Sequence, residues 1–214
     1  MTSVPVISFR DVVAVAGSYP VLAGANFEVN HGEIVLLSGP NGAGKTSLLR
    51  VCAGLLPVER GEALVLGVNL ANDRAAVRDR VGILGHTNGL YLDLTVRQNV
   101  EFWAHLIGAS AEEVHSAIVH VGLDGRLADV RASQLSAGQR RRVALARLII
   151  RRAELWLLDE PHAGLDARAR DELDSTLRAA VSVGATVVVA SHELERTERL
   201  ATRRVIVDGG VVHQ

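Results

Sequence analysis

The sequence predicts one α/β domain over residues 1–214. Its parts are a parallel-sheet core, an antiparallel β layer at the N-terminus and a helical subdomain inserted at about 90–150. Three observations predict it. Gly39-Pro40-Asn41-Gly42-Ala43-Gly44-Lys45-Thr46 matches G-x-x-x-x-G-K-[ST] at every fixed position, with an apolar strand (Glu33 to Ser38) before it and a helix opening at Ser47-Leu48-Leu49 after it. Short apolar runs recur downstream at Val81 to Leu84, Glu154 to Asp159 and Ala185 to Ala190, separated by helical stretches, as in a parallel sheet. Between the first two of these runs the apolar period changes from 2 to 3.6.

Taken in order, Val4 to about Val29 reads as two or three short strands, with Gly17, Pro20 and Gly24 marking turns. The helix after the phosphate loop ends near Gly54. Glu62 to Leu66 is a strand stopped by Gly67, and Arg74 to Arg80 is a short charged helix. Gly85-His86-Thr87-Asn88-Gly89 has too much glycine to be regular. Thr95 with Gln98 three residues on forms a capping box, and Val96, Val100, Trp103, Leu106 and Ile107 then share a helical face. A second helix runs from about Ala111 to Val121, with Gly122 stopping it. An amphipathic helix starts in Leu135-Ser136-Ala137-Gly138-Gln139 and reaches about Arg152. Its Arg140, Arg141, Arg142 and Arg147 are expected on a solvated or interface face. A helix from Ala167 to Val183, a helix from Glu193 to Leu200 and a hairpin from Arg204 to Val212 complete the chain.

Composition narrows the function classes. With 23 basic and 24 acidic residues in 214, no global charge points to nucleic acid. No apolar run is long enough to span a bilayer and no signal-peptide pattern is present, so the cytoplasm is the expected compartment and membrane association would come through a partner. The single cysteine, Cys52, leaves no intrachain disulfide or cysteine metal cluster, and is expected as a small buried hydrophobe.

The phosphate loop carries the chemistry. Its glycines let the backbone wrap oxygen atoms, and successive N–H groups with the helix N-terminus form an anion cradle. Lys45 would reach the outer phosphates and the Thr46 hydroxyl would ligate Mg²⁺, so the ligand is a nucleoside triphosphate. Asp159 and Glu160 end a strand, where ligands of parallel sheets gather. Adjacent strand residues point oppositely, so one acid can face the metal while the turn at Pro161 re-aims the other toward an attacking water. Tyr19 is either an adenine-stacking ring or an aromatic plug in the strand layer. Phe102 and Trp103 read as core of the helical insertion.

Together these pieces resemble, over nearly the whole chain, the ATPase subunits of ATP-binding-cassette (ABC) transporters, which have a RecA-like P-loop NTPase core. Leu135-Ser136-Ala137-Gly138-Gln139 resembles the LSGGQ signature with Ala for the first Gly. Asp159 and Glu160 match the Walker B pair, Ala163-Gly164-Leu165-Asp166 the D-loop, and His192 the switch histidine. The resemblance implies ATP and Mg²⁺ as ligands and a head-to-tail homodimer in which Ser136, Gly138 and Gln139 meet the partner's γ-phosphate. It also implies catalysis by Glu160 and His192, and a separate integral membrane subunit. His86 stands where the family has a glutamine reaching Mg²⁺ and the attacking water. Imidazole is a poor Mg²⁺ ligand, which leaves action through water, a coupling role or an ordinary loop histidine.

A narrower resemblance rests on Ile83-Leu84-Gly85-His86, on the run from Leu135 to Leu148, and on the tryptophan in Leu155-Trp156-Leu157-Leu158-Asp159-Glu160-Pro161. These are similar to the ATP-binding (A) subunits of cytochrome c maturation (Ccm) complexes, often described as haem exporters. That branch implies a Ccm B-type membrane partner at the cytoplasmic face of the bacterial inner membrane. The alternatives are a motor for lipid or drug efflux, which shares the nucleotide machinery, and a non-transport ATPase of DNA repair or translation.

Overall fold

The computed structural model describes residues 4–85 and 87–214, so His86 lies outside the described residues. Two sheets form. The first has the order β2-β1-β4-β5 and is antiparallel, from β1 (Ile7–Ala16), β2 (Tyr19–Val29), β4 (Arg60–Val65) and β5 (Val68–Asn69). The second has the order β10-β9-β3-β8-β7-β6. Its strands β3 (Ile34–Ser38), β6 (Val81–Leu84), β7 (Leu155–Asp159), β8 (Thr186–Ala190) and β9 (Arg203–Asp208) are parallel, and β10 (Val211–His213) adds an antiparallel edge. This is the α/β class expected from the sequence. Strands β3, β7 and β8 are buried at every residue, which is why they read as unbroken apolar runs.

The N-terminal strands number two, within the two or three expected, and are longer than the turn residues suggested. Gly17 does turn the hairpin, but Pro20 and Gly24 lie inside β2. That strand is an edge of its sheet, where a residue lacking an N–H is tolerated, and the register shifts beside them. The short charged helix is also displaced. A four-residue helix, α2, covers Leu70–Asp73 and residues 74–80 form turns. The Asp73 carboxylate accepts from the N–H groups of Ala75 and Ala76, offering the backbone an alternative to helical bonds.

Helix α1 (Lys45–Cys52) follows the phosphate loop. Between β6 and β7 come α3 (Val96–Ile107), α4 (Ala111–His120), two 3₁₀ turns and α5 (Ala137–Ile150). Thr95, Ser110 and Ser136 each cap one of these helices in a reciprocal capping box, with Gln98, Glu113 and Gln139. On α3 the buried residues are Val96, Asn99, Val100 and Ala104, whereas Leu106 and Ile107 face solvent. Phe102 is likewise exposed and outside the core, while Trp103 is partly buried against it. Helices α6 (Ala167–Ser182) and α7 (Leu194–Leu200) flank β8. One core lies between the two sheets around α1, and a second joins α3, α4, α5 and α6 to the other face of the parallel sheet. Cys52 is in the first, where burial pushes its thiol pKa up.

Candidate nucleotide-binding site

Register places the chemistry. Leu37 and Asp159 both align with Ala190, so β3, β7 and β8 end together at one edge. The phosphate loop, Asp159-Glu160 and Ser191-His192 therefore emerge side by side. They surround a cavity of about 640 Å³ whose lining includes Asn41 to Ser47, Asp159, Glu160 and His192. Gly39 and Pro40 close the loop from behind: their carbonyls accept from Lys45 Nζ at 2.7 and 2.9 Å.

Gly44 is required by shape. Its φ is 109°, and a Cβ there would stand 2.7 Å from the Val21 carbonyl oxygen. Thr46 Oγ1 donates to Asp159 Oδ2 at 2.8 Å, joining the start of α1 to the end of β7. A hydroxyl and a carboxylate side by side are hard oxygen donors of the kind Mg²⁺ prefers. Among the described residues no group of three or more His, Cys, Asp or Glu is clustered to hold a metal by itself.

Glu160 is re-aimed by its own backbone, at φ 49°, rather than by the Pro161 turn. Its Oε2 accepts from the His192 backbone N–H at 3.3 Å, and its Oε1 is 3.4 Å from His192 Nε2. The acids thus diverge, Asp159 toward Thr46 and Glu160 toward His192.

Ser136, Gly138 and Gln139 are not in this cavity. Ser136 Oγ accepts from the Gln139 N–H and Gln139 Oε1 from the Ser136 N–H, with Ser136 exposed at the start of α5. Ala137, the departure from the signature, is exposed and unconstrained. Gly138 is not free to change, since a Cβ there would meet the Gly164 carbonyl oxygen at 2.9 Å. Asp166 caps α6 through the Ala169 N–H and lies 3.5 Å from Arg142. Tyr19 is 77% exposed, beside the cavity-lining Pro20 and Val21.

Three participants escaped sequence reasoning. Gly209 and Gly210, in the turn between β9 and β10, line the cavity; the Gly-Gly pair signals a turn but not its destination. Arg141 is buried rather than on a solvated face. Its guanidinium donates to the carbonyls of Gly85, Asp159, Glu160 and Pro161 and to Asn88 Oδ1. Burial lowers its pKa to about 10, against the pull of Asp159 and Glu160. His162 is also buried, as taken up below.

Residues 22–163 match the family model described as ABC transporter. The chain belongs to that family. It is 40% identical over 209 residues to the cytochrome c biogenesis ATP-binding export protein CcmA of Xanthomonas campestris pv. campestris, covering 97% of this chain and 96% of the relative. It is 37% identical to the Nod factor export ATP-binding protein I of Rhizobium meliloti, covering 94% of this chain and 62% of the relative. Among solved structures, an ATP-binding cassette described as dimeric, post-hydrolysis and bound to ADP and phosphate superposes with a TM-score of 0.86. It is 24% identical and covers 97% of each chain, a likeness of fold. The protein is thus an ABC-type ATPase, similar over nearly its whole length to cytochrome c biogenesis export subunits. No helix among the described residues is long and apolar enough to cross a membrane.

Proposed function

We propose that this chain is the ATP-hydrolysing motor of an exporter of the cytochrome c maturation type, and that it works as a head-to-tail homodimer. It would sit at the cytoplasmic face of the bacterial inner membrane on a separate Ccm B-type membrane subunit. The observation that carries the chemistry is the shared edge at which Thr46–Asp159 and Glu160–His192 face one phosphate loop. Loop N–H groups and the N-terminus of α1 hold the phosphates, and Lys45 leaves its two loop carbonyls for the outer phosphate oxygens. Thr46 and Asp159 would hold Mg²⁺, which would neutralise phosphate charge. Glu160 polarises the water that attacks the γ-phosphorus as the bond to the β–γ bridging oxygen breaks, and His192 orients it. Tyr19 offers its exposed ring to adenine.

The exposed, capped start of α5 supports the dimer. Ser136, Gly138 and Gln139 face away from their own cavity and are open to the γ-phosphate in a partner's. Asp166 lies on the same surface. His86 belongs to the coupling loop toward the membrane subunit. Glu160→Gln is expected to bind ATP normally, to lose turnover and to accumulate as a dimer in size-exclusion chromatography with MgATP. Near-normal hydrolysis would remove Glu160 from its role. A detergent pull-down of the trapped variant identifies the membrane subunit, and recovery of a lipid or drug permease would replace the cytochrome c maturation reading.

A further inference from the structure

His162 is 1% exposed, two residues beyond Glu160, and its Nε2–H donates to Asp174 Oδ1 at 2.8 Å. The Asp174 carboxylate, on α6, is shared: its Oδ2 lies 2.7 Å from Arg196 on α7. Burial pushes the Asp174 carboxyl up, but hydrogen bonds from His162 and Arg196 outweigh it and hold it below the ordinary range. Arg196 in turn is four residues beyond His192, and Asp174, Arg196 and His192 line one cleft of about 720 Å³. A ring results. On one side Glu160 touches His192 directly; on the other, His162, Asp174 and Arg196 join the segments that carry them.

The cost of this arrangement argues for a purpose beyond packing. His162 Nδ1 is buried with no partner among the described residues, a cost carried by a ring whose one polar contact is the Asp174 carboxylate. The His162 carbonyl accepts from Leu165 N–H and the Glu160 carbonyl from Ala163 N–H, so His162 sits between two successive turns leading from the acid into the Asp166 loop. The other ties between these segments, Arg170 to Glu193 and Arg196 to Asp171, are at the surface, with Arg170 and Glu193 about one-third exposed and Asp171 75% exposed, where solvent screens them. The buried tie is the firmer one.

We propose that His162 is a positioning residue for hydrolysis. Through Asp174 and Arg196 it fixes the helix behind His192 against the turn behind Glu160, and so sets the distance between the two groups that handle the attacking water. This rests on Glu160 and His192 acting as assigned above.

The test measures steady-state ATPase kinetics of the purified full-length protein. His162→Phe, which fills the space without a donor, should lower kcat about tenfold, as expected of a misplaced catalytic group, while KM for MgATP stays within about twofold. His162→Gln, which restores a donor, should recover kcat to within about threefold of wild type. Combining His162→Phe with Asp174→Asn should be no worse than the weaker single variant, because both act through one bridge. An unchanged kcat in His162→Phe, a loss shared equally by KM, or multiplying losses in the double variant would overturn the proposal. If His162→Phe does not fold, Asp174→Asn alone reads the Arg196 arm. It still offers His162 an acceptor but takes the buried charge from Arg196, leaving it only the exposed Asp171, so a kcat-specific loss supports the relay and an unchanged kcat overturns it. Glu160→Gln separates the two levels: activity there removes the catalytic assignment itself, whereas a dead Glu160→Gln beside a normal His162→Phe removes only the relay.

Discussion

The charge of Arg141 is unusual in having main-chain oxygen as most of its surroundings. One guanidinium, 4% exposed, bridges carbonyls at the end of β6 and along Asp159-Glu160-Pro161, with bonds of 2.6 to 3.3 Å. Those carbonyls lie at strand ends, where no neighbouring strand can satisfy them, and Glu160 is held in a left-handed conformation that residues with a Cβ rarely adopt. Arg141→Met would keep most of the volume and take this donor from four main-chain carbonyls, of which that of Glu160 keeps the Ala163 N–H. The expected loss is about 3 kcal/mol or more, seen as a lower urea midpoint at unchanged slope. Arg141→Lys keeps the charge but offers three donors from a point rather than a planar fork, so it should fall between the two.

At the scale of elements, α5 is the piece with most neighbours of different kinds. Its first turn is capped and open, Gly138 lies against the loop before α6, and Arg141 reaches the end of β7. Gly138→Ala would force the Gly164 carbonyl away by several tenths of an ångström, so it should depress ATPase activity in a folded protein. Ser136→Ala should cost about 1 kcal/mol of thermal stability through the lost cap alone. How far such elements could be read from the sequence follows from the range of the forces that make them. The phosphate loop, the capping box at Thr95 and Gln98 and the buried strands are specified within a few residues, and their positions were legible. The four-residue α2 was not, because Asp73 and its neighbouring N–H groups decide it below the resolution of a hydrophobic period. The inward turn of Arg141 and the burial of His162 depend on carbonyls and carboxylates at least twelve residues away, so periodicity alone assigned the first to a solvated face and left the second without a role. The sequence leaves Tyr19 between an adenine-stacking ring and a plug of the strand layer, and only the path of β2 brings its neighbours Pro20 and Val21 to the lining.

The whole molecule closes on the phosphate loop from both sheets. Gly210 N–H donates to the Ala43 carbonyl at 2.8 Å and Ala23 N–H to the Gly210 carbonyl at 2.9 Å, so the β9–β10 turn ties β2 of the antiparallel sheet to the loop of the parallel one. A nucleotide bound there braces both sheets, and its binding free energy appears as stability of the whole fold. At a free MgATP concentration 100-fold above Kd the gain is about 2.7 kcal/mol. For a chain of this size each 1 kcal/mol raises Tm by about 2–4 °C, so the shift should be on the order of 5–10 °C. Lys45→Ala should remove most of it at the same nucleotide concentration. Scanning fluorimetry of the wild type and of Glu160→Gln with MgATP then distinguishes binding from dimerisation, because only an association between chains makes Tm rise with protein concentration. A shift in Glu160→Gln that is independent of protein concentration would mean that the nucleotide is held by one chain alone, and the exposed start of α5 would lose its assigned ligand.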